Sequence, residues 1–425
     1  MERGGAPWWI ALALAALAAC GSPPLAPGRK LRVRELSAPR SRAVGDVAGM
    51  TGDWTIEGGG LRALIGGLRR PRRQRGRVLA LETAGAAPSD DFEWLAPIVI
   101  EGERASELVV ERVERGALRD RPAVRVVGRA ALPRGELRVE RLYTVADVDG
   151  TLAIFTRVNR EVLVAERASW GGSPPFVPFV GRPDDGEWHD ASWMGTESPA
   201  RAIVIATRSG RGKVRGDPRP HDGHELVGTT ELAVPATPRA SVRTLVSTSR
   251  EGLAGALRRA GWARGRPFRE ATAAVVPLPP SAAVRVASAE GPWLRARVPP
   301  SGRLQVPLPN DDRPLTVRAI AYGHAASEPA PIAPGARVRL EVPASGRLRV
   351  RALDEASGSA IPFRVRVIGE GSTATPDLGP VFRAAGARDV VASAGAPVEV
   401  RFLSASTASS SRAAPSGRSR SARSS

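Results

Sequence analysis

The chain has 425 residues, of which 42% are apolar, so it is long enough for two or three domains with cores of their own. Its formal net charge of +19 would suit a nucleic-acid partner. However, Lys30 and Lys213 are its only lysines, and its arginines alternate with apolar residues, which is typical of the solvent face of β-strands. We therefore expect no nucleic-acid partner, and the single cysteine excludes a disulfide within the chain.

The first segment, residues 1–20, is predicted to be a lipoprotein signal peptide. Arg3 provides a basic start, and residues 10–19 form an apolar run that is too short to span a bilayer. The run ends in Leu-Ala-Ala directly before Cys20, and this ending resembles a lipobox. The resemblance implies that the Cys20 thiol is lipidated and becomes the mature N-terminus at the bacterial cell envelope, on the periplasmic face or at the outer membrane. An ordinary secretory signal with a chance cysteine is the alternative.

The next segment, residues 21–45, is rich in Pro, Arg, Ser and Ala, which predicts a flexible tether. Residues 69–77 hold the densest run of arginine in the chain. Beside a lipid anchor such a run suits anionic head groups, at about 1 kcal/mol per charge near the surface. We favour the alternative, a solvated loop between two strands.

Residues 46–262 are predicted to form one large antiparallel, supersandwich-like domain. Alternation or β-branched runs predict strands at 78–83, 107–113, 123–127, 136–145, 151–158, 202–207 and 241–246. The turn at 147–150 predicts a hairpin. Many strands with few helices favour an all-β sandwich.

An aromatic and acidic stretch within this domain is a candidate ligand site. Trp188, His189, Asp190 and Trp193 lie close together in sequence. Tryptophan faces stack on sugar CH groups and carboxylates bind sugar hydroxyls, so the stretch suits a carbohydrate cleft. We favour the alternative, in which the aromatic rings fill the core of the sandwich.

The densest ligand-like cluster contains His221 and His224, with Asp222 and Glu225 beside them. Such a set could hold zinc, which takes three or four N, O or S ligands. The cluster follows two prolines and contains Gly223, so we favour an exposed polar turn.

The predicted helix spans 251–260 and closes the first domain. Leu253, Ala254 and Leu257 share one of its faces, and Gly261 offers a stop. Two smaller β regions follow, at 270–343 and 344–403, each with a Ser-Gly-Arg-Leu strand start. The fold expected is therefore all-β, with a large domain, one or two small β-sandwiches and one short helix.

Residues 345–367 resemble the carboxypeptidase-regulatory-like, prealbumin-type β-sandwich. Gly346, Asp354, Gly358 and Pro362 occupy the Gly, Asp, Gly-turn and Pro positions of that family's pattern. The resemblance implies two alternating strands of one small sandwich, and an incomplete sandwich is the alternative.

A longer series of segments resembles the β-rich front half of bacterial lipoproteins that end in a PHP-type metallohydrolase domain. The segments are 51–57, 61–65, 170–181, 302–309 and 375–379. The resemblance implies accessory domains, because the catalytic domain of such proteins lies C-terminal to them. That domain is marked by a strand-end His-x-His with further His and Asp ligands downstream, and this chain has no His-x-His.

Residues 404–425 are almost entirely Ser, Ala and Arg, which predicts a disordered tail. A GC-rich gene translated in the wrong frame gives this composition. A frameshift or truncation near residues 392–404 is therefore a further hypothesis, and a natural tail is its alternative.

These observations favour a membrane-anchored lipoprotein whose β domains bind or scaffold without catalysis, and they predict no cofactor. The expected partners are the membrane, through the lipid on Cys20, and a carbohydrate or other cell-envelope ligand. The alternative is an enzyme: a carbohydrate-active supersandwich acting around Trp188, His189 and Asp190, or the accessory fragment of a metallohydrolase. A hydrolase needs titratable groups that converge in a pocket.

Overall fold

The computed structural model describes part of the chain. The described residues are 31–44, 46–83, 92–170, 177–179, 189–198, 201–209, 212–217, 228–289, 291–369, 375, 378, 390–403 and 413–415. They are nearly all β, with one α-helix among them, as the sequence predicts.

The first part of the chain contains twenty described strands. In chain order they are β1 (Arg32–Glu35), β2 (Arg40–Val44), β3 (Val47–Gly49), β4 (Trp54–Gly58), β5 (Leu61–Ile65), β6 (Val78–Thr83), β7 (Trp94–Glu101), β8 (Arg104–Glu107), β9 (Val109–Leu118), β10 (Arg121–Leu132), β11 (Gly135–Val145), β12 (Thr151–Val158), β13 (Val162–Trp170), β14 (Val177–Phe179), β15 (His189–Asp190), β16 (Trp193–Glu197), β17 (Ala202–Thr207), β18 (Lys213–Asp217), β19 (Gly228–Ala236) and β20 (Val242–Ser249). A 3₁₀ turn at Arg72–Gln74 lies between β5 and β6, so the arginine-rich run does connect two strands.

Two large antiparallel sheets form the first domain. Within the described residues, the larger sheet has ten strands in the order β1-β4-β5-β6-β7-β13-β19-β18-β15, with β8 also beside β7. The second sheet has eight strands in the order β14-β16-β17-β20-β12-β11-β10-β9. Alternate residues of both sheets face inward and form one core, which includes Ile56, Leu95, Tyr143, Ile154 and Trp170.

A hairpin of β2 and β3 covers part of the outer face of the larger sheet. Leu36 and Val44 pack there against Leu64 and Leu79. The predicted tether is therefore wrong over its last residues, because β1 pairs with β4 and β2 pairs with β3. Apolar side chains at alternate positions order this stretch despite its arginines.

The single described α-helix, α1 (Gly252–Ala263), confirms the predicted helix and extends it by a few residues. Leu253, Ala254 and Leu257 are buried on the predicted face. The stop predicted at Gly261 is wrong, since the helix continues and Gly265, with φ of +72°, provides the left-handed residue that ends it.

The strands that follow α1 are shorter. They are β21 (Arg269–Val276), β22 (Ala283–Ser288), β23 (Gly291–Arg297), β24 (Arg303–Leu308), β25 (Leu315–Ile320), β26 (Ala330–Ile332), β27 (Arg337–Glu341), β28 (Ser345–Val350), β29 (Phe363–Val367), β30 (Val390–Ser393), β31 (Val398–Leu403) and β32 (Ala413–Pro415).

A small sandwich packs against the first domain through α1. Its sheets have the orders β24-β21-β27 and β23-β22-β25-β26. The pairing of β21 with β27 is parallel. One core joins its inner residues Val284, Val317 and Leu340 to Leu257 of α1 and Val204 of β17. The helix therefore lies between two β layers, which explains why its small Ala and Gly residues are buried.

The last region has two small sheets, β28-β31 and β30-β29-β32. The strands β28 and β29, which carry the prealbumin-type pattern, lie in different sheets and do not form one hairpin. Between them, Asp354 accepts the backbone N–H of Ser357 at 2.8 Å. Ala413–Pro415 of the predicted disordered tail pairs with β29, and the rest of that tail lies outside the described residues.

Candidate functional site

The outer face of the larger sheet carries charged side chains from β13, β19 and β18, of which Arg167 and Arg215 are partly exposed and Glu231 is 5% exposed. Neighbouring residues of a strand face opposite sides, so Glu166 faces the core and Arg167 faces outward. In the sheet register, Arg167 lies opposite Ala96 of β7 and opposite Glu231 of β19.

Five charged side chains form a continuous row across this face, which we call the charged row. Arg77 Nη2 lies 2.8 Å from Glu107 Oε2, and Arg167 Nη1 lies 3.9 Å from Glu107 Oε1. On the other side, Arg167 Nη2 lies 2.5 Å from Glu231 Oε1, and Arg215 Nη2 lies 2.7 Å from Glu231 Oε2. The row crosses the sheet from β8 to β18 and therefore fixes donors and acceptors side by side.

Trp94 extends the charged row with an aromatic ring. The Arg77 guanidinium carbon lies 4.7 Å from the centroid of the half-buried Trp94 ring, which is a cation–π distance. Burial lowers the pKa of Arg77, the Glu107 carboxylate opposes that effect, and Arg167 adds to it. Arg77 is only 9% exposed, so a solute at this end of the row would meet the half-buried Trp94 ring and the exposed Glu107 carboxylate.

Small apolar residues lie beside the charged row. Ile98, Ala165 and Ala233 occupy neighbouring strands on the same face and form one apolar cluster. A shallow cavity of about 380 Å³ continues in this direction, where Ile100, Leu163, Pro235 and other residues line it. The face thus combines apolar and charged surface, as small-molecule sites do.

A buried ion pair lies beneath this face and supports it. Arg141 of β11 and Glu166 of β13 are both fully buried, with Nη2 and Oε2 2.9 Å apart. Arg141 Nε also donates to the Tyr143 hydroxyl at 2.9 Å, and that hydroxyl donates to the Gly76 carbonyl at 2.7 Å. Burial lowers the pKa of Arg141, but the Glu166 carboxylate outweighs it and keeps the pKa above its ordinary value. This network joins the two sheets and holds the residue before Arg77.

The predicted ligand residues do not all lie together. Asp190 is exposed in β15, at the edge of the larger sheet, opposite Lys213 of β18. The backbone of His189 lies opposite Val214. Trp193 lies in the other sheet, is 6% exposed, and packs against Trp293 with ring centroids 6.0 Å apart. Trp193 therefore occupies the core between the two sandwiches, and Trp188 lies outside the described residues.

The remaining predicted sites fall on parts of the chain that the structure does not describe. Cys20, His221 and His224 all lie outside the described residues. Within the described ranges, no group of three or more His, Cys, Asp or Glu side chains is placed to hold a metal ion. Among the same residues, no helix has the length and hydropathy that crossing a bilayer requires.

Sequence reasoning did not single out the charged row or Trp94. The alternation of β13 signals an outward Arg167, but Glu231 is 64 residues away in sequence. Only the strand order brings the two together.

Comparisons with known proteins give weak likenesses. No family model matches the chain, and no curated protein matches it. A 4-α-glucanotransferase from Thermococcus litoralis has a TM-score of 0.33 and 12% identity over 52% of this chain. A bacterial glucoamylase complexed with acarbose has a TM-score of 0.30 and 9% identity over 56% of this chain. The chain covers 39% and 38% of the lengths of these two proteins.

A smaller solved protein is covered almost completely. It is a putative aldose 1-epimerase from Escherichia coli K12, with a TM-score of 0.29 and 11% identity over 47% of this chain. This chain covers 99% of its length.

Proposed function

We propose that this chain is a lipid-anchored envelope protein that binds a carbohydrate on the outer face of its larger sheet. The observation that carries the proposal is the charged row with Trp94 at one end. An aromatic ring suits the CH face of a sugar, and the partly exposed side chains of Arg167, Arg215 and Glu107 offer donors and an acceptor to its hydroxyl groups.

The arrangement favours binding over catalysis. Each carboxylate of the charged row is already engaged: Glu231 contacts Arg167 and Arg215, and Glu107 contacts Arg77. Such contacts hold the carboxylates in fixed orientations. Fixed acceptors suit recognition, whereas a hydrolase needs titratable groups that converge in a pocket.

The lipid anchor belongs to the same proposal and rests on the Leu-Ala-Ala-Cys ending at Cys20. An anchor at that position would hold the β domains at a membrane surface.

Binding to a glycan array tests the ligand part of the proposal, followed by titration calorimetry with the sugar that binds. We expect Trp94→Ala and Arg215→Ala each to weaken binding about tenfold or more, since each removes a contact worth on the order of 1–2 kcal/mol. The matched control is Arg112→Ala, which removes an exposed arginine from the eight-stranded sheet and should leave affinity unchanged.

Two results would contradict the proposal. If no glycan binds, or if the Trp94→Ala chain binds as tightly as the natural chain, the outer face is not the site. If the sugar is bound and chemically converted, and Glu231→Gln abolishes conversion while binding persists, the enzyme alternative replaces the binding function.

A further inference from the structure

Three arginines lie side by side on the four-stranded sheet of the small sandwich. Arg285 of β22 is directly opposite Arg295 of β23 on one side and Arg318 of β25 on the other. Adjacent strands are about 4.8 Å apart, so the row of three spans about 10 Å. We call these residues the arginine triad.

The burial pattern shows that all three side chains face away from the core. Arg285 lies between Val284 and Val286, which are both fully buried. Arg295 and Arg318 likewise lie between buried residues of β23 and β25. The three guanidinium groups are partly exposed, so they are accessible to a solute.

No carboxylate neutralises the triad within the described residues, where none of the three arginines forms an ion pair. Burial, followed by the charges of Arg318 and Arg295, lowers the pKa of Arg285. Like charges directly opposite each other on neighbouring strands destabilise a sheet. A bound anion would remove that cost.

Arg285 has a small, partly exposed neighbour on the same face of β22. This is Ala287, two residues after it, whereas Ala283, two residues before it, is buried. Thr316 of β25 lies opposite Ala287 and is exposed, and its hydroxyl donates to the Ala287 carbonyl at 3.4 Å. Small side chains next to a row of guanidinium groups allow an anion to approach all three.

We propose that the arginine triad is a binding site for an anion that carries two linked phosphate groups. A guanidinium group binds phosphate oxygens through two parallel N–H donors. Three such groups in one row offer two adjacent pairs, with Arg285 shared between them, so two phosphates fit better than one. The site lies on a different sandwich from the charged row and does not depend on the function proposed for it.

Titration calorimetry with inorganic pyrophosphate at low ionic strength tests the site. We expect pyrophosphate to bind. Orthophosphate should bind at least about tenfold more weakly, because it engages only one pair of arginines. Arg285→Gln should weaken pyrophosphate binding about tenfold or more. The matched control is Arg303→Gln, which removes one exposed arginine from the other sheet of the same sandwich and should change affinity less than about twofold.

Flotation with vesicles distinguishes a free diphosphate from a lipid head group. The vesicles contain phosphatidylcholine with about one-fifth phosphatidic acid, and the chain carries Cys20→Ser so that no lipid anchor contributes. Vesicle binding that is lost in Arg285→Gln, without pyrophosphate binding, would overturn the assignment of a linked diphosphate, because each phosphatidic acid molecule carries a single phosphate. Pyrophosphate binding without vesicle binding would assign the linked phosphates to a free solute.

Thermal unfolding shows whether Arg285→Gln is still folded, so that a loss of binding can be assigned to the site. Without ligand, Arg285→Gln should unfold at the same or a higher temperature than the natural chain, because it removes like-charge repulsion. The proposal is overturned if neither pyrophosphate nor the vesicles bind. It is also overturned if Arg285→Gln and Arg303→Gln weaken binding equally, since net charge alone would then account for it.

Discussion

Glu197 accepts the backbone N–H of Arg297 at 3.0 Å, so a carboxylate at the end of β16 holds β23 of the small sandwich. Its other oxygen accepts the N–H of Leu253 in the first turn of α1 at 3.1 Å. Arg297 in turn donates from Nη2 to the Ser198 carbonyl at 2.5 Å. One carboxylate therefore joins the first domain, the helix and the small sandwich.

The same carboxylate should make stability depend on pH. Burial raises the pKa of Glu197, with Arg297 and two backbone N–H groups opposing it. A carboxyl group with a raised folded pKa binds its proton more tightly in the folded than in the unfolded chain. The stabilisation that protonated Glu197 provides is complete below the pKa of this group in the unfolded chain. It is lost as the pH rises through the pKa of the group in the folded chain. The free energy of unfolding of the natural chain should therefore fall over that range relative to Glu197→Gln, which does not titrate.

Urea unfolding of both chains measures this difference in the free energy of unfolding. The experiment covers about pH 4 to 8, because buried carboxyl groups titrate in this range. Glu197→Ala is the companion variant, because it leaves two N–H donors without their acceptor and should cost about 2 kcal/mol throughout. A difference between the natural chain and Glu197→Gln that stays constant with pH would contradict the prediction.

The buried pair Arg141 and Glu166 should show strong coupling. Arg141→Met leaves the Glu166 carboxylate without its cation in the core and should lower the free energy of unfolding by about 3–5 kcal/mol. The double variant Arg141→Met/Glu166→Leu removes both charges and should recover most of that loss. Chemical denaturation of Arg141→Met, Glu166→Leu and the double variant gives the coupling free energy between the two residues. Additive losses would show that the pair does not act as a unit.

Trp193 and Trp94 should behave in opposite ways. Trp193→Ala should cost about 3–5 kcal/mol, because the ring is buried against Trp293 between the two sandwiches. Trp94→Ala removes a half-buried ring on the outer face and should cost less stability while it weakens sugar binding. Thermal unfolding together with glycan binding separates the two effects. A stable Trp193→Ala chain that loses a sugar ligand would favour the aromatic cleft over the core role that we predict from the sequence.

Cys20 should carry the lipid that anchors the chain. In cells, Cys20→Ser should release the protein from the membrane fraction or leave an uncleaved precursor, because serine lacks the sulfur atom to which the lipid would be attached. Mass spectrometry of the mature N-terminus and membrane fractionation check this. Unchanged processing at another residue, with the protein still in the membrane fraction, would exclude the lipobox.

The positions of many strands could be predicted from the sequence alone. Alternation and β-branched runs located β6, β12 and β17 at the bounds found in the structure. The apolar face of α1 was also predictable. These features depend on residues a few positions apart, so a local pattern is sufficient to identify them.

The tertiary structure decided which strands are neighbours. Strand pairing in turn brings together the residues of the charged row and of the arginine triad. Arg167 and Glu231 meet only because β13 pairs with β19 across a long connection. Arg318 joins Arg285 because β25 returns to the free side of β22. A strand's own residues determine which side chains share a face, but the partner opposite each side chain depends on packing of the whole core, and no local pattern records that choice.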